Sequence, residues 1–223
     1  MPHVSIVMPY YKKANYIEKS VNSVLRQGYK NFEIIIIYDD EDREDIKLIK
    51  KIKKKDIRIS VIYNTKNLGA GRCRNLGIKK SRGDYIAFLD CDDIWYPNKL
   101  ELQIKFMCQK KADFSFTSYD LIDEKNKKKG SRVARESLEY HDLIKSCDIG
   151  LSTVIVKKKL FNNFLKFPDL KTKEDYVLWL KFAKKEIVFY GLNRPLAQWR
   201  ITNNSLSSSS KQKILDAFLV YRK

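Results

Sequence analysis

Asp90, Asp92 and Asp93 place three carboxylates within four positions, with Cys91 between the first two, directly after the apolar run Tyr85-Ile86-Ala87-Phe88-Leu89. Such a run reads as a buried strand. Its acids are therefore delivered to the strand end, the edge at which open α/β sheets bind ligands. Carboxylates this close repel one another, and a divalent cation answers that repulsion. All-oxygen donors suit Mg2+ or Mn2+. The chemistry this spacing points to is retention of a nucleotide diphosphate through a metal at Asp90 and Asp92. A solvated acidic turn is the competing reading of the segment taken alone, and other parts of the chain must decide between them.

The first strand-like run, Val4-Ser5-Ile6-Val7-Met8, is closed by Pro9-Tyr10-Tyr11, and residues 32–38 run into Asp39-Asp40. In a parallel sheet these ends share an edge with Asp90 and Asp92. A tyrosine ring there can stack on a base, and a carboxylate can accept a hydrogen bond from a base N–H or from ribose; plain packing is the alternative for Tyr10 and Tyr11. Arg72, Arg74 and Asn75 open the helix before the acidic strand, where they can reach phosphates. For Arg74 the alternative is an ion pair with Asp39 or Asp90. No glycine precedes Gly28, which removes a dinucleotide fingerprint or phosphate loop from the first strand–helix turn. It also argues against a sugar nucleotidyltransferase, so nucleotide binding must use side chains and a metal.

The elements that position these residues follow from periodicity. Ile17, Val21, Val24 and Leu25 give residues 14–27 helical spacing, stopped by Gly28. Residues 32–38 and 59–63 read as strands, Ile46, Ile49 and Ile52 mark a lysine-rich helix, and residues 71–80 form another helix after a turn. This alternation predicts a parallel sheet with right-handed crossovers. A helix follows Pro97 to about Lys110, then a strand over 114–119 and an exposed lysine-rich turn over 123–130. Further on, strands are expected over 152–156, 187–190 and 196–201, and a helix over 174–185, with Leu178, Trp179 and Phe182 in the core. Residues 205–210 read as a serine-rich linker and 211–221 as a terminal amphipathic helix. A composition shift near residue 112 divides a nucleotide-type half from one suited to a second substrate.

At 223 residues and 43% hydrophobic content, the chain fits one large domain, or one domain with a small appendage, with a sizeable core. Apolar runs such as residues 34–37 are far too short to span a bilayer, and no signal segment precedes the first strand, which points to the cytosol. Cys73, Cys91, Cys108 and Cys147 are too widely spaced for a zinc or disulfide framework, and two histidines, His3 and His141, do not make a metal site. The formal charge of +18 suits an anionic partner, whether nucleic acid, anionic lipid or a phosphorylated substrate. Solvated lysine faces with no partner account for it equally well.

The chain resembles the family 2 inverting glycosyltransferases of the GT-A fold. The resemblance rests on Val4-Ser5-Ile6-Val7-Met8-Pro9-Tyr10-Tyr11, on Asp39-Asp40, on Asn67-Leu68-Gly69-Ala70-Gly71-Arg72-Cys73-Arg74-Asn75-Leu76-Gly77-Ile78, on the stretch from Gly83 through Asp93, and on Lys173-Glu174-Asp175-Tyr176, and so covers about residues 3–207. It implies an α/β fold with a mainly parallel central sheet flanked by helices, as a single domain over 1–223. Residues 1–111 would bind the nucleotide-sugar, 112–207 the acceptor, and 208–223 would form a C-terminal helix.

The resemblance also implies roles. Asp39 would take the base, with Pro9, Tyr10, Tyr11, Arg74 and Cys91 lining the nucleotide. Asp90 and Asp92 would form the Asp-x-Asp motif, touching ribose and Mn2+ or Mg2+, with Asp93 sharing either task. Asp175 would be the general base, Arg200 would approach the donor diphosphate, the serine-rich stretch would act as a lid, and Ser152-Thr153 would meet the acceptor. Two departures stand out: Asp39-Asp40-Glu41-Asp42 replaces the usual Asp-Asp-Gly-Ser, and Tyr10-Tyr11 replaces Tyr-Asn.

The expected activity is transfer of a sugar from a nucleotide diphosphate, a UDP-sugar, to a hydroxyl of a glycan or lipid-linked acceptor in bacterial surface polysaccharide or lipooligosaccharide synthesis. The expected location is cytoplasmic, peripheral on the inner face of the membrane through the lysines of 47–55 and 125–129. A basic nucleic-acid-binding protein is the competing class; it explains the charge but not the acidic strand ends.

Overall fold

The computed structural model describes residues 2–202; the expected serine-rich linker, lid and terminal helix lie outside them. The elements run β1 (Val4–Tyr10), α1 (Ala14–Leu25), β2 (Phe32–Tyr38), α2 (Ile46–Lys53), β3 (Ile59–Tyr63), α3 (Ala70–Lys80) and β4 (Tyr85–Phe88). After the acidic segment come β5 (Ile94–Trp95), α4 (Lys99–Lys110), β6 (Phe114–Ile122), β7 (Lys128–Arg132), β8 (Ser137–Leu138) and α5 (Tyr140–Lys145). A 3-10 turn (Leu151–Thr153), β9 (Ile155–Lys157), α6 (Glu174–Ala183) and β10 (Phe189–Arg200) complete the described chain.

One sheet has the order β3-β2-β1-β4-β9-β6-β10-β5, with β7 on β6 and β8 on β10. The four strands of the first half are parallel. Beyond β4 the sheet is mixed: β9 is antiparallel to both β4 and β6, whereas β10 runs parallel to β6.

Burial on both faces explains why the first-half strands are mostly apolar, with Ser5, Glu33 and Ser60 the polar exceptions. Ile6, Met8, Tyr10, Ile34, Ile36 and Tyr38 pack with Ile17, Val21 and Val24 of α1, Ile49 and Ile52 of α2, and Leu100, Ile104 and Met107 of α4. The intervening residues face the other way, Ile35 and Ile37 onto Cys73 of α3 and Val7 into the cluster built on α6. Trp179 and Phe182 of α6 are fully buried there, with Phe114 at 4.9 Å from Trp179.

Pro9 lies inside β1 rather than after it. It is tolerated because β4 pairs β1 only as far as Val7. Val7 and Pro9 face the same side of the strand, and there the Pro9 carbonyl accepts the Cys91 thiol at 3.1 Å instead of a ladder N–H. The two strands expected over 187–190 and 196–201 are one continuous β10, bulged around Pro195. Ser152 and Thr153, expected in a strand, form the 3-10 turn before β9.

Candidate active site

The carboxyl ends of β1, β2 and β4 meet on one rim, and α6 brings its first turn to the same place. Asp90 and Asp92, both half-buried, sit on the loop after β4. Arg74 of α3 binds Asp90 through Nη2 (2.8 Å to Oδ1) and Glu174 of α6 through Nη1. Arg74 is buried, and its charge is held firmly on by these acids and by Asp175 against a large desolvation penalty. Lys13, at the start of α1, places its ammonium 2.6 Å from Asp92 Oδ2. Each acid of the Asp-x-Asp segment therefore carries one protein cation.

Asp175 is the second residue of α6 and half-buried. Burial and the neighbouring Glu174 push its carboxyl up to about 6, opposed by Arg74 and by the Tyr176 N–H, which donates to Oδ1 at 2.8 Å. A carboxylate with that affinity can take a proton from a hydroxyl near neutral pH. Arg74 ties it electrostatically to Asp90, so Asp90, Arg74, Glu174 and Asp175 form one connected group.

Among the described residues no three His, Cys, Asp or Glu side chains form a metal cage. Two accessible carboxylates on one loop nevertheless fit Mg2+ or Mn2+, which commonly uses one or two carboxylates and completes its shell with substrate phosphates.

Several expected side chains stand elsewhere. Tyr10 cannot stack on a base: its ring is fully buried, stacked on Tyr38 at 5.4 Å, with its hydroxyl donating to Asp45 at 2.5 Å. Its place in β1 gives it the parity of Ile6 and Met8, whereas Tyr11 has left the strand and is 48% exposed. The Cys91 side chain also turns into the core, so only its backbone faces the rim. Arg200 is buried rather than presented to a diphosphate. Its guanidinium donates to the carbonyls of Asp92 (2.8 Å) and Asp123 (2.7 Å) and to Asn126 Oδ1 (2.8 Å), clamping the β6–β7 hairpin onto the acidic loop.

Asp93 is a buried bolt, not a ligand. Oδ1 accepts the Arg200 N–H at 2.9 Å and Oδ2 the Ser152 hydroxyl at 2.6 Å, while burial among Asp92 and Asp90 raises its carboxyl well above the usual range. Ser152 Oγ in turn accepts the Asp90 N–H at 3.1 Å. Ser152 and Thr153 are buried and support the acidic loop rather than meeting an acceptor.

Within the Asp39-Asp40 pair the two acids differ. Asp39 is saturated by Asn64 Nδ2 (2.7 Å), Leu68 N (2.9 and 3.1 Å) and Gly69 N (2.8 Å). These bonds shape the turn into α3, where Gly69 adopts φ +82°, a conformation glycine takes freely. Asp40 is also buried, but its Oδ2 has no partner among the described residues. Sequence reasoning puts Asp40 on the edge but gives the base to Asp39, and it does not single out Lys13 or Glu174. Only the tertiary neighbours of Asp40 distinguish it from Asp39, and lysines and glutamates are too common for their type to single out one.

The sequence pattern described as Glycosyl transferase family 2 matches residues 5–165. TuaG of Bacillus subtilis (strain 168), a glycosyltransferase named for teichuronic acid biosynthesis, is 36% identical over 222 residues, spanning 99% of this chain and 88% of that protein. WfgD of Escherichia coli, a UDP-Glc:alpha-D-GlcNAc-diphosphoundecaprenol beta-1,3-glucosyltransferase, is 37% identical over 212 residues, 95% of this chain and 82% of its own. Among solved structures, S. aureus TarS residues 1–349 with UDP-GlcNAc superposes with a TM-score of 0.79 at 20% identity, covering 99% of this chain and 64% of that one. Nothing in these likenesses supports the nucleic-acid-binding expectation.

Proposed function

The chain belongs to glycosyl transferase family 2 and carries its GT-A fold, and from that premise we propose that it moves a sugar, with inversion, from a UDP-sugar to a hydroxyl of a lipid-linked glycan acceptor during bacterial surface polysaccharide synthesis. The activity named for WfgD, with a UDP-sugar donor and an undecaprenyl-diphosphate-linked acceptor, supports the substrate classes. The observation that carries the reading is the rim itself, where Arg74 joins Asp90 of the Asp-x-Asp segment to Glu174, the neighbour of Asp175, whose carboxyl is pushed up by burial.

In this reading the acceptor oxygen forms a bond to the anomeric carbon while the bond to the nucleoside diphosphate breaks on the opposite side, and its proton passes to Asp175. Arg74 fixes Asp90 and sets the charge balance around Asp175. Asp90 and Asp92 would hold Mn2+ or Mg2+, whose chemistry there is to offset charge gathering on the leaving diphosphate. For Asp92 to take up that role, Lys13 must leave it, and the freed ammonium is then available to phosphate. Tyr11 is the tyrosine available to the base. Asp40, with a buried oxygen lacking a donor, is a better partner for a base N–H than the saturated Asp39, since an unmet buried acceptor costs about 1–3 kcal/mol that a ligand N–H would recover. Asp39 shapes the loop that presents Arg74. No helix among the described residues is long and apolar enough to cross a membrane; we place the enzyme at the cytoplasmic face, where a lipid-linked acceptor is presented.

The test is a donor screen. UDP-, GDP- and TDP-sugars are incubated with the protein and Mn2+, and nucleotide release is measured with and without an undecaprenyl-diphosphate-linked sugar. Release from a UDP-sugar, stimulated by that acceptor and abolished by EDTA, is expected. Release from none of the donors overturns the reading.

A further inference from the structure

Three phenylalanines recur at Phe161, Phe164 and Phe167, in the connection between β9 and α6. The outer two are anchors. Phe161 packs at 6.3 Å from Phe88 and 5.6 Å from Phe182, and Phe167 lies 5.3 Å from Phe88. Asn75 of α3 holds Phe167 on both sides of its backbone, donating to its carbonyl (2.8 Å) and accepting its N–H (3.0 Å). The middle ring, Phe164, is 86% exposed. Asn162 Oδ1 accepts the N–H groups of Phe164 and Leu165, both at 2.9 Å, so a built turn holds this ring in water.

A single exposed apolar side chain is ordinary. Phe164 differs in lining a cavity of about 440 Å3 with Arg72, Lys166, Lys181 and Asp169. Among the described residues Asp169 is the only acid lining it, and it is already bound by Arg72. Lys166 and Lys181 pair with no acid among the described residues. The face is thus an apolar tip beside uncompensated positive charge, a composition that suits the boundary of an anionic bilayer.

We propose that this face docks the enzyme on an anionic membrane, with Phe164 entering the acyl boundary and phosphate headgroups entering the cavity against Lys166 and Lys181. The inference deepens the membrane part of the function proposed above by naming the surface. It also gives the placement a catalytic purpose. The cavity is walled by the first turn of α3 and by the loop leading to Asp175, and these approach so closely that a Cβ on Gly71 would stand 2.8 Å from the Pro168 carbonyl. A membrane held here lies beside the loop that leads into α6 and Asp175, the part of the chain a lipid-linked acceptor would have to reach.

Sedimentation of the full chain with phosphatidylglycerol–phosphatidylcholine vesicles at low salt, against phosphatidylcholine alone, tests it. Binding to the anionic vesicles is expected. Phe164→Asp should weaken partitioning by about tenfold or more, and Lys166→Glu with Lys181→Glu by more than about tenfold, since each surface lysine contributes roughly fivefold. All variants should keep wild-type nucleotide release from a soluble donor. In Phe164→Trp the indole emission should shift to the blue on adding anionic vesicles. If wild type binds but both charge-altering variants bind equally well, this surface is wrong while a membrane location stands, and an unshifted indole refutes insertion. If wild type binds no vesicle, surface and membrane location both fall.

Discussion

At the scale of single residues, Asp175 has two opposed effects that one substitution separates. As a base it must be ionised, and burial beside Glu174 holds its carboxyl up to about 6, so turnover should fall as pH drops through 6. Asp175→Asn removes the proton acceptor and should lower transfer by about 10²–10⁴-fold with UDP-sugar binding unchanged. In the unfolded chain the same carboxyl releases its proton near the ordinary aspartate value. Between that value and about 6 the folded state therefore binds more protons, and stability declines as pH rises through the window. Because Asp175 keeps part of its surface in water, the penalty at neutral pH is discounted to about 1 kcal/mol. Asp175→Asn should thus melt roughly 2–4 °C higher than wild type at pH 7.5, with the gain vanishing below pH 4. A variant both inactive and less stable at pH 7.5 would point to a structural role instead. Residue type alone places the Asp90–Asp92 pair at a rim, because three acids directly after a buried strand must emerge at its end, whereas Asp175 is reached only through the family resemblance. Residue type does not foretell that the side chains of Tyr10 and Arg200 are buried. A tyrosine or arginine serves equally in a core and in a site, and only strand parity or tertiary neighbours decide which.

At the scale of elements, the acidic loop owes its shape to the 3-10 turn over Leu151–Thr153, whose buried polar supports come from α4 and β5. Trp95 Nε1 donates to the Ser152 carbonyl at 2.7 Å, and Gln103 Nε2 and Lys99 Nζ donate to the Thr153 carbonyl at 2.9 and 3.2 Å. Lys99 is fully buried, 4.5 Å over the Trp95 ring and 2.6 Å from Gln103 Oε1, and desolvation drives its ammonium well below the usual lysine value. The unfolded chain keeps that proton to higher pH, so Lys99 makes stability rise with pH between its depressed folded value and its ordinary one. Lys99→Met should lack this component, so its urea-unfolding free energy should gain less than wild type between pH 7 and 10. Identical pH slopes would mean that Lys99 is charged in the fold. The elements that were legible in sequence are those whose pattern is enforced by burial on both faces: β1 to β4 and their helices fall within a few residues of expectation. β5 and β8 have two residues each and α5 six, too short to show a period. The two halves of β10 read separately because Pro195 interrupts an alternation that the bulge restores.

At the scale of the whole molecule, the parallel half and the mixed half are joined through β4 and β9, and the rim lies where they meet. Arg74 on one half binds Glu174 on the other, so a donor seated against Asp90 and Asp92, as proposed above, would load both halves together. Ligand binding to the folded state alone stabilises it by about 2.7 kcal/mol at a hundredfold excess over Kd, or roughly 5–10 °C for a chain of this size. UDP with Mn2+ should therefore raise the melting temperature of the entire chain in one transition, and EDTA should abolish the shift. Asp92→Asn separates the cation-binding role proposed for this acid from its part in the fold. It forfeits only a partly exposed pair with Lys13, worth less than about 1 kcal/mol, so its unliganded melting should barely change while most of the Mn2+-dependent shift is lost. A full shift in Asp92→Asn, or one indifferent to EDTA in wild type, would show that the diphosphate is held by the protein's own cations. Lys13 and Arg74, already seated on the two acids, would then be the groups to remove.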